Sequence, residues 1–270
     1  MVQNSEVLVQ HIDLSKIDLI MQKSVNLDGE AIIDFINMLC KVSSEELLDA
    51  ENPRKFSLQR IVEVADFNMG RIRFVWSKIW QTLSEHFSVA GCHPNLHVAI
   101  YAVDSLRQLA DKFLMKEEFG NYNFQKDFLK PFETIMLNNL HTRVEIKEFI
   151  VLSIAHMCKT KIKHLKSGWR IIINIFTLAA MDSEAHLVEQ SFSALQFAVE
   201  SDFQFFEEHL VELVNCLNKF AKNEFLPQAL ASLDLQERCA LHLAQNREIV
   251  LNVVKTQGLH FYQRDMDSQQ

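Results

Sequence analysis

Six glycines and four prolines in 270 residues leave this chain very few places to turn sharply. Sheet proteins are built on tight turns, and tight turns draw on glycine and proline. A chain this poor in both is confined to long helices with short connections. The apolar residues agree, because they recur with the 3.6-residue period of a helix rather than the two-residue period of a strand.

The stripes can be read one after another. Ala31, Ile32, Phe35, Ile36 and Leu39 share a face, and Ser43 with Glu46 has the spacing of a capping box opening a short further helix. Leu58, Ile61, Val62, Ala65 and Met69 run up to Gly70. The pattern resumes after it as Ile72, Trp76, Ile79, Trp80, Leu83 and Phe87. Between 95 and 114 lies the cleanest amphipathic stretch, with Leu96, Ala99, Ile100, Val103, Leu106, Leu109, Ala110 and Phe113 facing in. Gly120-Asn121 follows as a loop, and Pro131 predicts a kink or a fresh start in the next helix. Thr142 and Glu145 form another capping box before Ile146, Phe149, Ile150, Ile154 and Met157. Ser167-Gly168 opens the helix carrying Trp169, Ile172, Ile173 and Phe176. Asp182 is an expected N-cap for Val188, Phe192, Leu195 and Val199. Phe206, Leu210, Leu213, Val214, Leu217 and Phe220 line the next helix, and Pro227 starts the last clear one.

Helix pairs thus recur at roughly 40 residues, the range of HEAT and armadillo repeats, in which stacked neighbours bury the apolar face each pair exposes. The expected fold is an all-α solenoid of stacked antiparallel helix pairs, with a compact bundle as the rival. Residues 1–26 read as a weakly structured lead-in and 27–250 as one solenoid domain. The pattern fades after about Asn246, residues 251–270 read as a tail, and the last of them, 264–270, read as frayed or disordered.

Chemistry is harder to find. The net charge of −8 disfavours nucleic acid, whose phosphates need a basic field. Five widely spaced cysteines without a CxxC read as reduced core thiols. Neither a signal peptide nor a membrane span is expected, which predicts a cytoplasmic chain. There is no glycine-rich phosphate loop, GxSxG elbow or HExxH. Cys239 with His242, and His156 with Cys158, fall short of a closed zinc site. No catalytic residue, metal or cofactor is expected. Three polar groups are candidates for an interaction surface: Asn68, Arg71 and Arg73 at the Gly70 turn; the Asp104, Arg107 and Gln108 face; and Lys163 with Lys166 in the basic run Lys159–Arg170. Two of them have a plainer alternative: the first could satisfy helix ends, and the last could be solubilising loop charge.

Several segments together resemble one family. FSLQRIVEVADFNMGRIRFVWSKIW (Phe56–Trp80), VAIYAVDSLRQLADKF (Val98–Phe113), NYNFQKDFLKPF (Asn121–Phe132), KSGWR (Lys166–Arg170) and DGEAIIDFINMLC (28–40) are similar to the large, brefeldin A-inhibited Arf guanine-nucleotide exchange factors. The similarity is to the helical region just after the catalytic exchange domain, the first "homology downstream of Sec-seven" domain. The family's catalytic FRLPGE-like motif has no counterpart, since the four prolines precede Arg54, Asn95, Phe132 and Gln228. The resemblance therefore implies a non-catalytic regulatory domain acting in vesicle trafficking at the trans-Golgi. Its implied partners are GTP-bound Arf, neighbouring domains of the exchange factor, or an anionic membrane surface. A purely structural helical-repeat scaffold is the alternative.

Overall fold

The computed structural model describes residues 14–116, 124–139 and 143–246. Among these residues there are eleven α-helices and no strand. They are α1 (Leu14–Lys23), α2 (Gly29–Glu46), α3 (Phe56–Asn68), α4 (Arg73–Gly91), α5 (Leu96–Phe113), α6 (Phe124–Asn138), α7 (Val144–Lys161), α8 (Trp169–Ala179), α9 (Ala185–Ser201), α10 (Leu210–Ala221) and α11 (Leu226–Gln245). Short 3₁₀ turns precede α2 and α10, at Ser24–Asn26 and Phe203–His209. The Gly120-Asn121 loop, Thr142 of the second capping box and the tail after Asn246 lie outside the described residues.

Packing divides the chain into two compact units, Met1–Phe113 and Leu114–Gln270. The division between them, after Phe113, falls inside 27–250, the span read from sequence as one domain. In the first unit α2 packs on α3 and α4, α4 on α5, and α1 on α3. Part of the stretch read as a lead-in is thus helical and docked. In the second unit α7 packs on α9, α6 on α8, α8 on α10, and α10 on α11. This is the α-solenoid logic the sequence predicts, each helix burying one stripe against near neighbours.

The repeat period is visible in hydrogen bonds as well as in packing. Polar side chains in one turn reach backbone carbonyls in the turn one repeat away. Arg71 donates to the carbonyl of Ser24, 47 residues off. His93 bonds the carbonyl of Leu47 across 46 residues, and Asn95 that of Ala50 across 45. In the second unit Gln125 bonds the carbonyl of His164 across 39 residues, and Asn223 that of Ala180 across 43. Backbone groups in turns need partners as much as those in helices do, and each repeat supplies them to its neighbour.

The core stripes hold with a few corrections. Ile32, Ile36, Leu58, Ile61, Trp76, Ile79, Leu83, Phe87, Leu106, Ile150, Trp169, Phe176, Leu195 and Phe220 are all buried. Ser43 and Glu46 do not open a helix, because α2 runs unbroken to Glu46. Ser43 is buried against His86, with Oγ to Nε2 at 3.0 Å. Glu46 instead accepts the backbone N–H of Ser57 at 2.9 Å and so caps α3. Pro131 does not start a new helix; α6 continues through it. Asp182 does not cap α9, whose N-cap is Glu184. Its carboxylate pairs with Lys147 at 2.6 Å, both side chains being only 5% exposed.

Candidate interaction surface

The Gly70 turn sorts its three candidate residues into two roles. Asn68 is buried, its amide donating to Ser24 Oγ at 2.8 Å and to the Val64 carbonyl at 2.9 Å. Its Oδ1 accepts from Arg71 Nε at 2.6 Å. The same guanidinium donates to the carbonyls of Ser24, Val25 and Leu27 at 3.0, 3.1 and 2.7 Å. A planar fork with fixed donors suits this task of gathering three carbonyls. Both side chains therefore fasten the 3₁₀ turn before α2 to the end of α3.

Arg73 is placed differently. It is the first residue of α4 and is exposed, between Ile72 at 74% and Phe74 at 67% exposure. Lys78 Nζ lies 4.4 Å from the centre of the Phe74 ring, a cation–π contact that steadies an outward aromatic side chain. The stripe read from sequence had Ile72 facing the core. The residue is the N-cap of α4, with ψ of 145°, so its backbone leaves the helical phase that Trp76 and Ile79 follow. The turn thus shows solvent an apolar–cationic–apolar triplet. Sequence reading found its charge and missed its two apolar members. The signal was there in the position of Ile72 directly before a helix start.

The Asp104 face is largely satisfied within α5. Arg107 grips Asp104 through Nε at 2.9 Å and a terminal nitrogen at 2.8 Å, and reaches Asp111 at 3.3 Å. Gln108 donates to the other Asp104 oxygen at 2.8 Å. Charges paired this way at i, i+3 and i, i+4 stabilise their own helix modestly.

Lys163 and Lys166 are exposed in the connection between α7 and α8, with Lys159, His164 and Arg170 also exposed. Buried Gln125 shapes this turn, donating to the His164 carbonyl at 2.7 Å and accepting the Lys166 N–H at 2.8 Å. Gly168 allows the close approach. A Cβ there would meet Leu129 Cδ1 at 3.1 Å and Gln125 Oε1 at 3.2 Å. Gly70 has no such neighbour. Acidic groups border the cluster: Glu212 lies 3.6 Å from Arg170, and His209 is held below its usual range by burial, with Glu212 and Glu208 pulling the other way.

Elsewhere, a cavity in the second unit is lined by Glu200, Phe203, Arg238, Cys239 and His242, with Arg238 held by Glu200 at 2.7 Å. Among the described residues, no group of three or more His, Cys, Asp or Glu could hold a metal ion. Burial pushes the Cys40, Cys158 and Cys216 thiols up to about 12 and Cys239 to about 11, far from the thiolate a nucleophile needs. No described helix is long and apolar enough to cross a membrane.

Helices packed in adjacent pairs, with several polar side chains tying one turn to another, define an all-helical protein of the α-solenoid class. Comparison with known proteins then narrows the class. Residues 112–197 match the family model described as Sec7-like HDS, of the Mon2/Sec7/BIG1-like type. The chain is 43% identical over 233 residues to the human brefeldin A-inhibited guanine nucleotide-exchange protein 1, covering 84% of this chain and 12% of that protein. It is 43% identical over 231 residues to exchange protein 2 of Arabidopsis thaliana, covering 84% and 13%, and 35% identical over 268 residues to exchange protein 4 of the same plant, covering 97% and 16%. The chain belongs to this family and corresponds to a region downstream of the catalytic domain. It spans less than a sixth of the length of these curated relatives.

Proposed function

We propose that this chain is a regulatory interaction domain of an Arf guanine-nucleotide exchange factor, docking activated Arf at Golgi membranes rather than catalysing exchange. The observation that carries this reading is the Ile72–Arg73–Phe74 turn. Asn68 and Arg71 beside it are buried or half-buried, and Ile72, Arg73 and Phe74 are the exposed side chains the turn presents. Large apolar groups flanking a cation at an exposed turn have the composition of interface anchors. The basic turn with Lys163 and Lys166 supports a contact with anionic lipid, since each cation near an acidic membrane adds about 1 kcal/mol.

Flotation of the purified chain with liposomes separates these roles. The chain is incubated without Arf, with GDP-loaded Arf and with GTP-loaded Arf, at low and physiological salt. Retention only with GTP-loaded Arf, lost in Arg73→Ala and in Phe74→Ala, is the expected result. Retention without Arf that salt abolishes, and that Lys163→Ala/Lys166→Ala removes, assigns the membrane contact to the basic turn. If the chain never floats, Arf and lipid docking are both wrong, and a structural spacer is what remains.

A further inference from the structure

Helix α11 is packed with its poorer face inward. Its buried positions are Ala229, Ser232, Leu235 and Cys239, set against the rest of the second unit, where Ser232 Oγ bonds the Leu217 carbonyl at 2.7 Å. Leu226, Leu230, Leu233 and Leu241 are left outside, each between 52% and 64% exposed. They share one side of the helix, with exposed Glu237 on the same line between Leu233 and Leu241. Leu226, Leu230 and Leu233 form its unbroken apolar part, on the order of 300 Å², the scale at which a patch on a folded protein marks an interaction site.

The charges at this face are more acidic than basic. Glu224 stands just before the helix, Asp234 is exposed at the edge of the face, and Glu237 is exposed within it. Of the nearby cations, Lys222 is exposed two residues before Glu224, and Arg238 is already held by Glu200 at 2.7 Å and Asp234 at 3.1 Å. Glu224 and Glu237 enter no ion pair among the described residues. A second copy of the same face would set these carboxylates against their own kind, which opposes self-association.

We propose that the leucine face of α11 is a docking site for an amphipathic helix of a partner protein, one with an apolar stripe at i, i+3, i+4 and i+7 flanked by lysine or arginine. The apolar stripe covers Leu226, Leu230 and Leu233, and basic residues beside and beyond it meet Glu224, Asp234 and Glu237. This is the helix-in-groove mode of recognition, with affinity from the leucines and selection from the flanking charge. It lies in the second unit and does not depend on the Gly70 turn.

The probe is a synthetic 18-residue helix with leucine at those spacings and lysine elsewhere, against a control in which glutamate replaces every lysine. Both are titrated into the full chain at physiological salt by fluorescence anisotropy. The lysine peptide is expected to bind, and the glutamate peptide to bind at least about tenfold more weakly. Leu230→Asp/Leu233→Asp, both at exposed positions, should weaken the lysine peptide by at least about tenfold, the effect of losing interface anchors. Non-specific attraction to an acidic protein would instead grow with the two added carboxylates. The proposal is overturned by equal binding of the two peptides, by no binding, or by undiminished binding to the variant. It is equally overturned if the free chain sediments as a dimer that the variant dissolves. Hydrogen exchange slowed across 247–270 in the parent and released in the variant would show that the chain's own sequence covers the face.

Discussion

Removing Lys147 should damage the second unit far more than removing a surface lysine would. Its ammonium lies 2.6 Å from Asp182, and both side chains are 5% exposed. The pair joins α7 to the turn before α9, where Asp182 also accepts the backbone N–H of Glu184 at 3.1 Å. An exposed pair contributes about 0–1 kcal/mol. A buried one is different because the surviving partner is left without its counter-charge, which costs about 3–5 kcal/mol. Lys147→Met keeps the length of the stem and strands the carboxylate, so it should lose roughly that amount. Lys147→Met with Asp182→Leu removes both charges and should recover most of the loss, since an apolar pair of similar volume is often as stable as the buried ions. Urea unfolding of the full chain gives the free energies. Hydrogen exchange over α7 and α9 localises the effect, with α2–α5 as the internal control. A Lys147→Met loss below about 1 kcal/mol, or a double variant no better than the single, would refute this account of the pair.

Two further expectations follow from the structure. Gly168→Ala should cost about 1–3 kcal/mol by crowding Leu129 and Gln125, whereas Gly70→Ala, with nothing within 4 Å, should be near neutral; thermal melts of the two variants decide this. His86 is held down at about 4 by burial, against 6.5 in an unfolded chain. Its neutral form is favoured in the folded state, so stability is full above pH 6.5 and falls as pH drops toward 4, by at most about 1.4 kcal/mol per unit. His86→Gln should flatten that part of the pH–stability curve, and an unchanged slope would exclude His86 as its source.

Much of the architecture was legible because it rests on local period and composition. Scarce glycine and proline excluded sheets. The 3.6-residue stripes located the helices from α2 to α11, and the spacing of those helices suggested a repeat near 40 residues. The resemblance was carried by contiguous segments such as Phe56–Trp80, where local order alone preserves the signal. Interaction residues were harder, because what matters for them is whether a polar side chain has a partner elsewhere. Asn68, Arg71 and Arg73 look alike in sequence. Only the arrival of Ser24, Val25 and Leu27 at the same turn makes the first two internal, while Arg73 is exposed beside Ile72 and Phe74.

The sequence by itself determined that the chain is helical, where most helices run, which family it belongs to, and that no familiar catalytic motif is present. Tertiary structure decided which face of each helix is inside. For Ile72 the helix start put an apparent core residue into solvent. Val214, also read as core, is exposed on α10. For α11 the packing chose Ala229, Ser232, Leu235 and Cys239 over four other leucines. Periodicity fixes the angle between two apolar stripes on a helix. It does not say which of them a neighbour covers, because that depends on contacts between residues far apart in the chain.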